Sequence, residues 1–543
     1  MFTRLYSATV IGVSSLIVEI EVDLKKGMPS QTIVGLVDTA IKEARERVNS
    51  AILNSGFEFP LGRITVNLAP ADIRKEGSIF DLPIALGILI SSGQLNPKCD
   101  LNKFVIMGEL ALDGRIKPVN GILAVVEDAK KREFKSVIVP YQNYKESKLI
   151  SGISVYPIHN LIDAVEILSS DNEKRKIKGK TLVNKFNNNE NTFSLSKENS
   201  NQKVEGAIDV NEFDFSDIKG QDYAIRAIEV AAAGEHNLLL IGSPGSGKTM
   251  LALRIPTILP DMSEKESIET TKIYSSAGLL NDRVGLIKKR PFRSPHHSAS
   301  EVSIIGGGKN PIPGEVTLAH NGILFMDEFT EFKVSTIQAL RQPLESGIIT
   351  ISRADSRITF PSLFMLVASM NPCPCGYLFD DTHLCRCTDK QINKYYMRIS
   401  GPILDRIDIQ VAVKPVKVEY MTENKERYSS KKLKEKVLKA REVQYNRFKE
   451  YEIKSNARMS VNMVKKFCKL DRDINEIMKK AARIYKLTAR SYYKVLKVAR
   501  TIADLDERGE IRKDDIYEAL SYREVENIIY IDRKESMAGV TLV

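Results

Sequence analysis

The sequence predicts an α/β protein of several domains, and three observations carry that prediction. An apolar run, Leu238–Ile241, leads into a glycine-rich turn and then into a helix-compatible segment. A second apolar run, Ile323–Met326, ends directly in two acidic residues, as a buried parallel strand does. The C-terminal region instead predicts helices joined at short intervals. At 543 residues the chain is long enough for about three to four domains.

Composition favours a soluble, cytoplasmic chain with no membrane partner. Hydrophobic residues make up 43% of the sequence, and no apolar run reaches the roughly 18 residues of a membrane span. The segment Met1–Val22 has apolar positions interrupted by serine and glutamate, so it predicts strands rather than a signal peptide. A cytoplasmic location implies that the six cysteines are reduced.

Positive charge is concentrated towards the C-terminus. The formal net charge is +11, yet Lys414–Arg500 alone holds 26 Lys and Arg against 10 Asp and Glu. A strongly basic segment indicates a polyanionic partner such as DNA or RNA. The alternative is a set of helices whose charged faces are simply solvated, and charge alone does not separate the two.

The glycine-rich turn predicts a nucleotide site. It follows the pattern G-x-x-x-x-G-K-T, in which backbone N–H groups surround phosphates and the next helix adds its N-terminal dipole. Lys248 supplies a cation for the β- and γ-phosphates, and the Thr249 hydroxyl is suited to bind magnesium. The predicted ATP-binding residues are Gly242, Ser243, Pro244, Gly245, Ser246, Gly247, Lys248 and Thr249.

The other parts of a hydrolytic site follow along the chain. Asp327, at the end of the second apolar strand, is expected to hold magnesium, and Glu328 is expected to act as the general base. A third apolar strand, Leu363–Ser369, leads to Asn371, whose amide is suited to orient water. Arg406 lies on a turn before the next strand, where it is suited to reach the γ-phosphate of a neighbouring subunit.

Residues 1–168 predict a mixed α/β domain. The stretches NLAPADIRKEGSIFDLPIAL and MGELALDGRIKPVNGILAVV resemble the proteolytic domain of the Lon family. That family requires a serine nucleophile and a lysine base, but the lysine position is Leu123 here, and Ser78 has a different spacing. The resemblance implies a Lon-like fold in a scaffold or docking role, with no peptidase activity.

Changes in composition predict the remaining domain boundaries. Residues 169–208 are rich in Asn, Lys, Ser and Glu, which predicts a flexible linker, with a packed loop as the alternative. The ATPase core is expected at 209–415, a helical lid at 416–525 and a tail at 526–543.

Five motifs together resemble one family. GSPGSGKT, RPFRSPHHSAS, ILFMDE, ASMNPCPCG and GPILDRID are similar to motifs of the YifB/ComM family of magnesium-chelatase-like AAA+ ATPases, and the likeness covers nearly the whole chain. It implies the following roles: Walker A at 242–249, Walker B at Asp327 and Glu328, sensor 1 at Asn371, an arginine finger at Arg406 and sensor 2 at Arg490. For this family the implied activity is a hexameric helicase that drives branch migration of DNA in natural transformation.

The same resemblance implies DNA contacts. The segment 348–360 predicts a hairpin and matches the pre-sensor-1 hairpin of the clade, and Arg293–Gly314 occupies the place of its helix-2 insertion. Both insertions project towards the ring pore in that clade. Lys309, Arg353 and Arg357 are therefore candidate contacts, with branched or single-stranded DNA as the expected partner.

Four of the cysteines follow the spacing C-x-C, nine residues, C-x-C. Two close pairs of thiols commonly bind zinc tetrahedrally, so a structural zinc site is predicted at Cys373, Cys375, Cys385 and Cys387. His383 is a rival ligand, and free buried thiols or redox pairing are the alternatives. His296 and His297 are assigned either a phosphate contact or a packing role.

Three functions are compatible with these motifs. The first is an ATP-hydrolysing, hexameric DNA translocase or branch-migration helicase. The second is a chelatase-type or protein-remodelling motor whose client is a protein held by the Lon-like domain. The third is a nucleotide-dependent scaffold, in which binding rather than hydrolysis matters.

Overall fold

The computed structural model confirms the predicted α/β class. It describes residues 1–75, 77–190, 213–280, 285–308, 311–352, 357–378, 380, 383–399, 401–416, 428–485 and 487–523. The N-terminal unit comprises Met1–Glu205, Glu264–Lys288 and Pro311–Pro313, and the ATPase unit comprises Gly206–Ser263, Lys289–Asn310 and Gly314–Val543. None of the described helices is both long and apolar enough to cross a membrane.

The N-terminal unit begins with a mixed sheet in the order β1-β2-β4-β3. Its strands are β1 (Phe2–Ile11), β2 (Ser14–Lys25), β3 (Ser30–Val34) and β4 (Arg63–Ala69). Alternate residues of β4 are buried, because one face of the sheet packs against helices. Those helices are α2 (Asp81–Ser91) and α3 (Ile122–Lys131), and α1 (Thr39–Asn54) packs against α2. Every residue of α2 is buried, which explains its continuous apolar sequence.

A second, parallel sheet in the order β5-β8-β9 completes this unit. The remaining elements are β5 (Phe104–Ile106), β6 (Glu109–Leu110), β7 (Ile116–Lys117), α3 (Ile122–Lys131), β8 (Ser136–Pro140), α4 (Tyr144–Ser147), β9 (Ser154–Ile158), α5 (Leu161–Ser169) and α6 (Asn172–Glu190). Leu123 is fully buried in the apolar core, and the Ser78 hydroxyl donates a hydrogen bond to the Glu109 carboxylate. The absence of peptidase activity stays a prediction.

Helix α6 occupies the first part of the predicted flexible linker. Arg175 anchors it, because this buried side chain donates hydrogen bonds to Ile167 O at 3.0 Å and to Ser170 O at 2.5 Å, and lies 5.4 Å from the Phe104 ring centroid. The polar composition of this segment gave no indication that Arg175 would pack on the Phe104 ring. The rest of the predicted linker, residues 191–208, lies outside the described residues.

A helix from the predicted ATPase core belongs instead to the N-terminal unit. This helix, α9 (Glu264–Ser276), follows α7 (Asp222–Gly234) and α8 (Lys248–Ile258) in the chain. Lys272 forms an ion pair with Glu127 at 2.7 Å, and Gly121 N donates to Ser275 O at 3.1 Å. Ile268 packs against the N-terminal core. Such contacts link residues more than a hundred positions apart, so composition did not predict them.

The ATPase unit is built on a five-stranded parallel sheet in the order β11-β14-β17-β10-β18. These strands are β10 (Leu238–Gly242), β11 (Phe292–Arg293), β14 (Ile323–Met326), β17 (Met365–Met370) and β18 (Ile409–Val413). Strands β10, β14 and β17 are buried along their whole length, because helices cover both faces of a parallel sheet.

Short elements connect the strands of this sheet. They are α10 (Glu301–Ile305), β12 (Gly306–Gly307), β13 (Ile312–Pro313, in the N-terminal unit), α11 (Glu315–Leu318), α12 (Val334–Ala339), α13 (Arg341–Ser346), β15 (Ile348–Ser352), β16 (Arg357–Pro361), α14 (Asp389–Tyr396) and α15 (Gly401–Leu404). Strands β15 and β16 form the predicted antiparallel hairpin.

The C-terminal region is helical, as predicted. Its helices are α16 (Ser430–Arg447), α17 (Val461–Phe467), α18 (Arg472–Ile484), α19 (Ala489–Leu505) and α20 (Lys513–Ser521). Helix α19 buries the predicted apolar stripe, and its Asp504 accepts a hydrogen bond of 2.5 Å from Arg447 inside the bundle. The apolar core of the lid is continuous with that of the parallel sheet.

Candidate nucleotide site

The glycine-rich loop connects β10 to α8. Gly242 requires the absence of a side chain, because a Cβ there would lie 2.2 Å from the carbonyl oxygen of Val413. Gly247 has a φ of 92°, in the left-handed region that favours glycine, and it caps the first turn of α8. The loop therefore presents the N-terminal end of a helix, which attracts phosphate.

Three neighbouring strands bring the predicted residues to one edge of the sheet. In the parallel register Ile241 faces Met370, and Met326 faces Ala368, so the residues after these strands meet. Lys248 Nζ donates to Asn371 Oδ1 at 3.3 Å and to the carbonyl oxygen of Gly242 at 2.8 Å. The sequence predicted all of these residues for one site.

The Thr249 hydroxyl lies next to the carboxylate of Asp327. Its Oγ1 donates a hydrogen bond to Asp327 Oδ2 at 2.9 Å. The two oxygens are hard ligands of the kind that magnesium prefers. The buried hydroxyls of Ser243 and Ser246 have no hydrogen-bond partner within the described part of the chain, which suits them to a phosphate. The residues present thus fit a magnesium–nucleotide complex.

The cation of Lys248 lies close to two carboxylates in this site, those of Asp327 and Glu328. Burial lowers the pKa of Lys248, while the nearby Asp327 and Glu328 partly oppose that shift. Glu328 has a φ of 51°, and its side chain is 58% exposed.

Two further side chains contact the acidic pair, and the sequence did not assign them there. The Ser369 hydroxyl donates a hydrogen bond to Asp327 Oδ1. His297 Nδ1 lies 3.3 Å from Glu328 Oε2, so this histidine contacts the predicted base directly. Strand pairing was the available signal for Ser369, because alignment of the two apolar strands brings it beside Asp327.

We expect Ser369→Ala to lower the apparent affinity for magnesium about tenfold, because a ligand loses the hydrogen bond that orients it. Titration of ATP hydrolysis with magnesium measures the effect. Ser362→Ala is the matched control, since Ser362 is equally buried and has no hydrogen-bond partner for its hydroxyl in the described chain. Identical titrations for both variants would contradict the expectation.

The predicted finger, Arg406, lies at the opposite edge of the sheet. Its carbonyl oxygen accepts a hydrogen bond of 2.9 Å from Asn237 Nδ2, at the residue that precedes β10. Strands β10 and β18 run parallel, so the turn before β18 lies where β10 begins. The length of β10, roughly 15 Å at about 3.3 Å per residue, separates this turn from the phosphate loop.

The predicted sensor, Arg490, lies beside Arg406. Both guanidinium groups form ion pairs with the carboxylate of Glu345, in α13. Arg406 Nη1 also donates to the carbonyl oxygen of Pro402 at 2.6 Å. The hydrogen bond from Arg406 is the main reason that the pKa of Glu345 is below its usual range. Glu345 is 61 and 145 positions from its two partners, so sequence spacing gave no signal for it.

A buried ionic cluster fixes the lid helix against this turn. Asp408 lies 2.8 Å from Lys494 Nζ and 3.5 Å from His236 Nδ1. Burial raises the pKa of Asp408, but its two basic neighbours outweigh that effect and hold the pKa well below its usual range. Because Lys494 belongs to α19, the cluster holds Arg490 and Arg406 on the same surface.

The four predicted zinc ligands converge after β17. Their sulfur atoms all lie within 4.8 Å of one another, in the sequence order Cys373, Cys375, Cys385 and Cys387. Burial raises the pKa of Cys375, but backbone hydrogen bonds from Tyr377 and Arg386 lower it to about 6. His383 contacts Asp380 and Tyr377.

Of the three candidate DNA contacts, one is described. Arg357 begins β16, is exposed, and pairs with Ser352 across the hairpin. Lys309 and Arg353 lie outside the described residues.

Family models of magnesium chelatase match most of the chain. The model described as magnesium chelatase, subunit ChlI, matches residues 214–421. The model of the ChlI C-terminal region matches residues 427–523, and one described as subunit ChlI of Mg-chelatase matches residues 20–143.

Curated relatives are similar over nearly the full length. The competence protein ComM of Haemophilus influenzae is 41% identical over 521 residues, which cover 95% of this chain and 96% of that protein. The uncharacterized protein YifB of Escherichia coli is 40% identical over 526 residues, which cover 96% and 97%. An archaeal Lon protease of Archaeoglobus fulgidus is 46% identical over 55 residues, 10% of this chain and 8% of that protein, in accord with the predicted Lon-like homology.

These matches confirm the resemblance predicted from the five motifs. They span both units and extend into the helical lid, and the family they indicate implies an ATPase that uses ATP and magnesium. The chain therefore belongs to the YifB/ComM family of magnesium-chelatase-like AAA+ ATPases.

Proposed function

We propose that the chain is an ATP-hydrolysing motor that assembles as a homo-hexameric ring and acts on branched or single-stranded DNA in the cytoplasm. In this proposal Lys248, Glu328 and Asn371 act on nucleotide in their own subunit. Arg406 and Arg490 act on the nucleotide of a neighbouring subunit.

The separation of the arginines from the phosphate loop carries the ring proposal. Lys248 and Asn371 contact each other at one edge of the sheet, whereas Arg406 is bonded to the start of the same sheet. A sheet edge is rigid, so the arginines are unsuited to reach a phosphate held by their own chain. In a cyclic ring, the edge of one subunit faces the opposite edge of the next, which brings the two sets together.

Exposed cations on the lid support DNA as the substrate. In α18 the residues Ile474, Met478 and Ala481 are buried, which leaves Lys480 on the solvent side. Lys465 and Lys469 are exposed on the preceding segment. The relative from Haemophilus influenzae is named a competence protein, which accords with a DNA substrate. These observations favour DNA over the protein client of the alternative motor.

We expect simultaneous replacement of Lys465, Lys469 and Lys480 with Ala to reduce the salt dependence of DNA binding. The slope of log K against log salt should fall by about 2 to 3, because each lost phosphate contact contributes roughly 0.7 to 0.9. Fluorescence anisotropy on a labelled four-way junction measures the slope, and junction-stimulated ATP hydrolysis should weaken in parallel.

The control removes Lys439 and Lys479, which are equally exposed but form ion pairs with Glu507 and Glu476. Its slope should match that of the unaltered protein. If ATP hydrolysis by the unaltered protein ignores DNA at low salt and a protein client co-purifies instead, the chelatase-type or protein-remodelling function replaces this one.

A further inference from the structure

Four thiols converge with the dimensions of a metal tetrahedron. A zinc ion with Zn–S bonds of about 2.3 Å requires S···S distances of about 3.8 Å along each edge. The Cys373 and Cys385 sulfurs are 3.7 Å apart, those of Cys375 and Cys385 are 3.6 Å apart, and those of Cys373 and Cys375 are 3.3 Å apart. Such distances are far longer than a disulfide bond of about 2.05 Å.

A backbone turn holds the first two cysteines close together. Gly376 N donates a hydrogen bond of 3.0 Å to the carbonyl oxygen of Cys373, which closes the turn that carries Cys373 and Cys375. Cys373 is buried and the other three cysteines are half-buried, so the four thiols are largely shielded from solvent. A closed, shielded set of four thiols is typical of a structural metal site.

The cysteine cluster borders the nucleotide site directly. Cys373 is two residues beyond Asn371, and the Tyr396 hydroxyl donates to the intervening Pro372 carbonyl oxygen at 2.9 Å. A Cβ at Gly376 would lie only 2.7 Å from Pro244 Cδ, so the cysteine loop packs closely on the phosphate loop. A rigid cysteine loop would therefore hold both Asn371 and Pro244 in place.

We propose that Cys373, Cys375, Cys385 and Cys387 bind one structural zinc ion, and that this ion positions Asn371 and the phosphate loop for hydrolysis. Zinc suits the site because four thiolates fill its tetrahedral shell and leave no open position for chemistry. The C-x-C pairs come from two separate stretches of chain, so the ion closes the loop between β17 and α14.

Metal analysis of the purified full-length protein tests the site. We expect about one zinc per chain, falling below roughly one tenth in the double variant Cys375→Ser and Cys387→Ser. Cys99→Ser is the control, because Cys99 is outside the cluster, and it should keep its zinc. Equal zinc in the double variant and the control would overturn the proposal, as would iron and a coloured cluster in the unaltered protein.

Cobalt titration keeps the proposal testable if the double variant does not fold. The unaltered protein, stripped of metal and reduced, should take up one cobalt ion with the intense visible absorption of a tetrahedral tetrathiolate site. Zinc should then displace it. Absence of that absorption in protein that remains folded by circular dichroism would overturn the site.

The second part of the proposal, that zinc positions Asn371 and the phosphate loop, rests on the proposed ATPase function. It is measured separately, by the rate of ATP hydrolysis. Removal of zinc should lower kcat for ATP hydrolysis by about tenfold or more, because displaced catalytic groups lose their alignment. ATP affinity should change much less. An unchanged kcat in zinc-free protein would overturn the positioning role while the metal content still decides the site. Failure of DNA to stimulate hydrolysis bears on the proposed function alone.

Discussion

Replacement of Glu328 with Gln is expected to lower the rate of ATP hydrolysis by on the order of a hundredfold or more. The amide keeps the size of the side chain but cannot take a proton from the attacking water. Nucleotide binding should persist, because Lys248 and Thr249 are bound to other partners in the site, Asn371 and Asp327. Hydrolysis measured by phosphate release, together with binding of a fluorescent nucleotide, separates the two effects.

Glu331→Gln provides a matched control for that variant. Glu331 is an exposed acid three residues further along the chain, and it lies 3.6 Å from Arg398. Its loss should leave hydrolysis within a few-fold of the original rate. If Glu328→Gln also hydrolyses ATP nearly normally, Glu328 is not the base. If it stops hydrolysis but DNA remodelling continues, the scaffold function is favoured.

Two inactive variants are expected to restore activity when mixed. Arg406→Ala should lose on the order of a thousandfold in hydrolysis, as other enzymes do without an arginine finger. Lys248→Ala should be inactive because it lacks the phosphate cation. Since the two residues lie at opposite edges of one sheet, each mixed interface can combine an intact Lys248 with an intact Arg406 from the next subunit.

The size of that restoration is also expected. In rings assembled at random from equal amounts of the two variants, about a quarter of the interfaces hold one intact copy of each residue. Once folded subunits have exchanged between rings, the rate of ATP hydrolysis should approach about a quarter of that of the unaltered protein. Arg398→Ala is the control, because it removes a different exposed arginine. This variant should hydrolyse ATP without being mixed with another one. No restoration on mixing, with native mass spectrometry showing mixed rings, would contradict a site shared between subunits.

Much of the nucleotide site could be predicted because its parts carry local signals. The glycine loop, the acids after β14 and Asn371 after β17 each end an apolar strand, and parallel strands end at one edge. The apolar stripe of α19 and the hairpin of β15 and β16 were predictable for the same reason, since periodicity is local. Predicting these elements did not require knowing which strands are neighbours in the sheet.

Contacts between distant positions could not be predicted in this way. Glu345 is an ordinary acidic residue of a short helix, and only the fold brings Arg406 and Arg490 to its carboxylate. The buried Arg175 lies in a segment whose composition is that of a linker, yet its hydrogen bonds to Ile167 O and Ser170 O attach this segment to the N-terminal unit. Composition averages over such single contacts and therefore conceals them.

The position of helix α9 in the chain affects which gene fragments can encode a complete N-terminal unit. The N-terminal unit includes Glu264–Lys288, which the gene encodes downstream of the phosphate-loop helix. A gene fragment that ends before residue 191 would lack Ile268 and Lys272, which complete the packing around α3 and Glu127. Conversely, a gene without its first part would leave α9 with nothing to cover its apolar side. The N-terminal unit is therefore not encoded by one contiguous stretch of the gene, so exchanging only its first part would separate α9 from the core that it packs on.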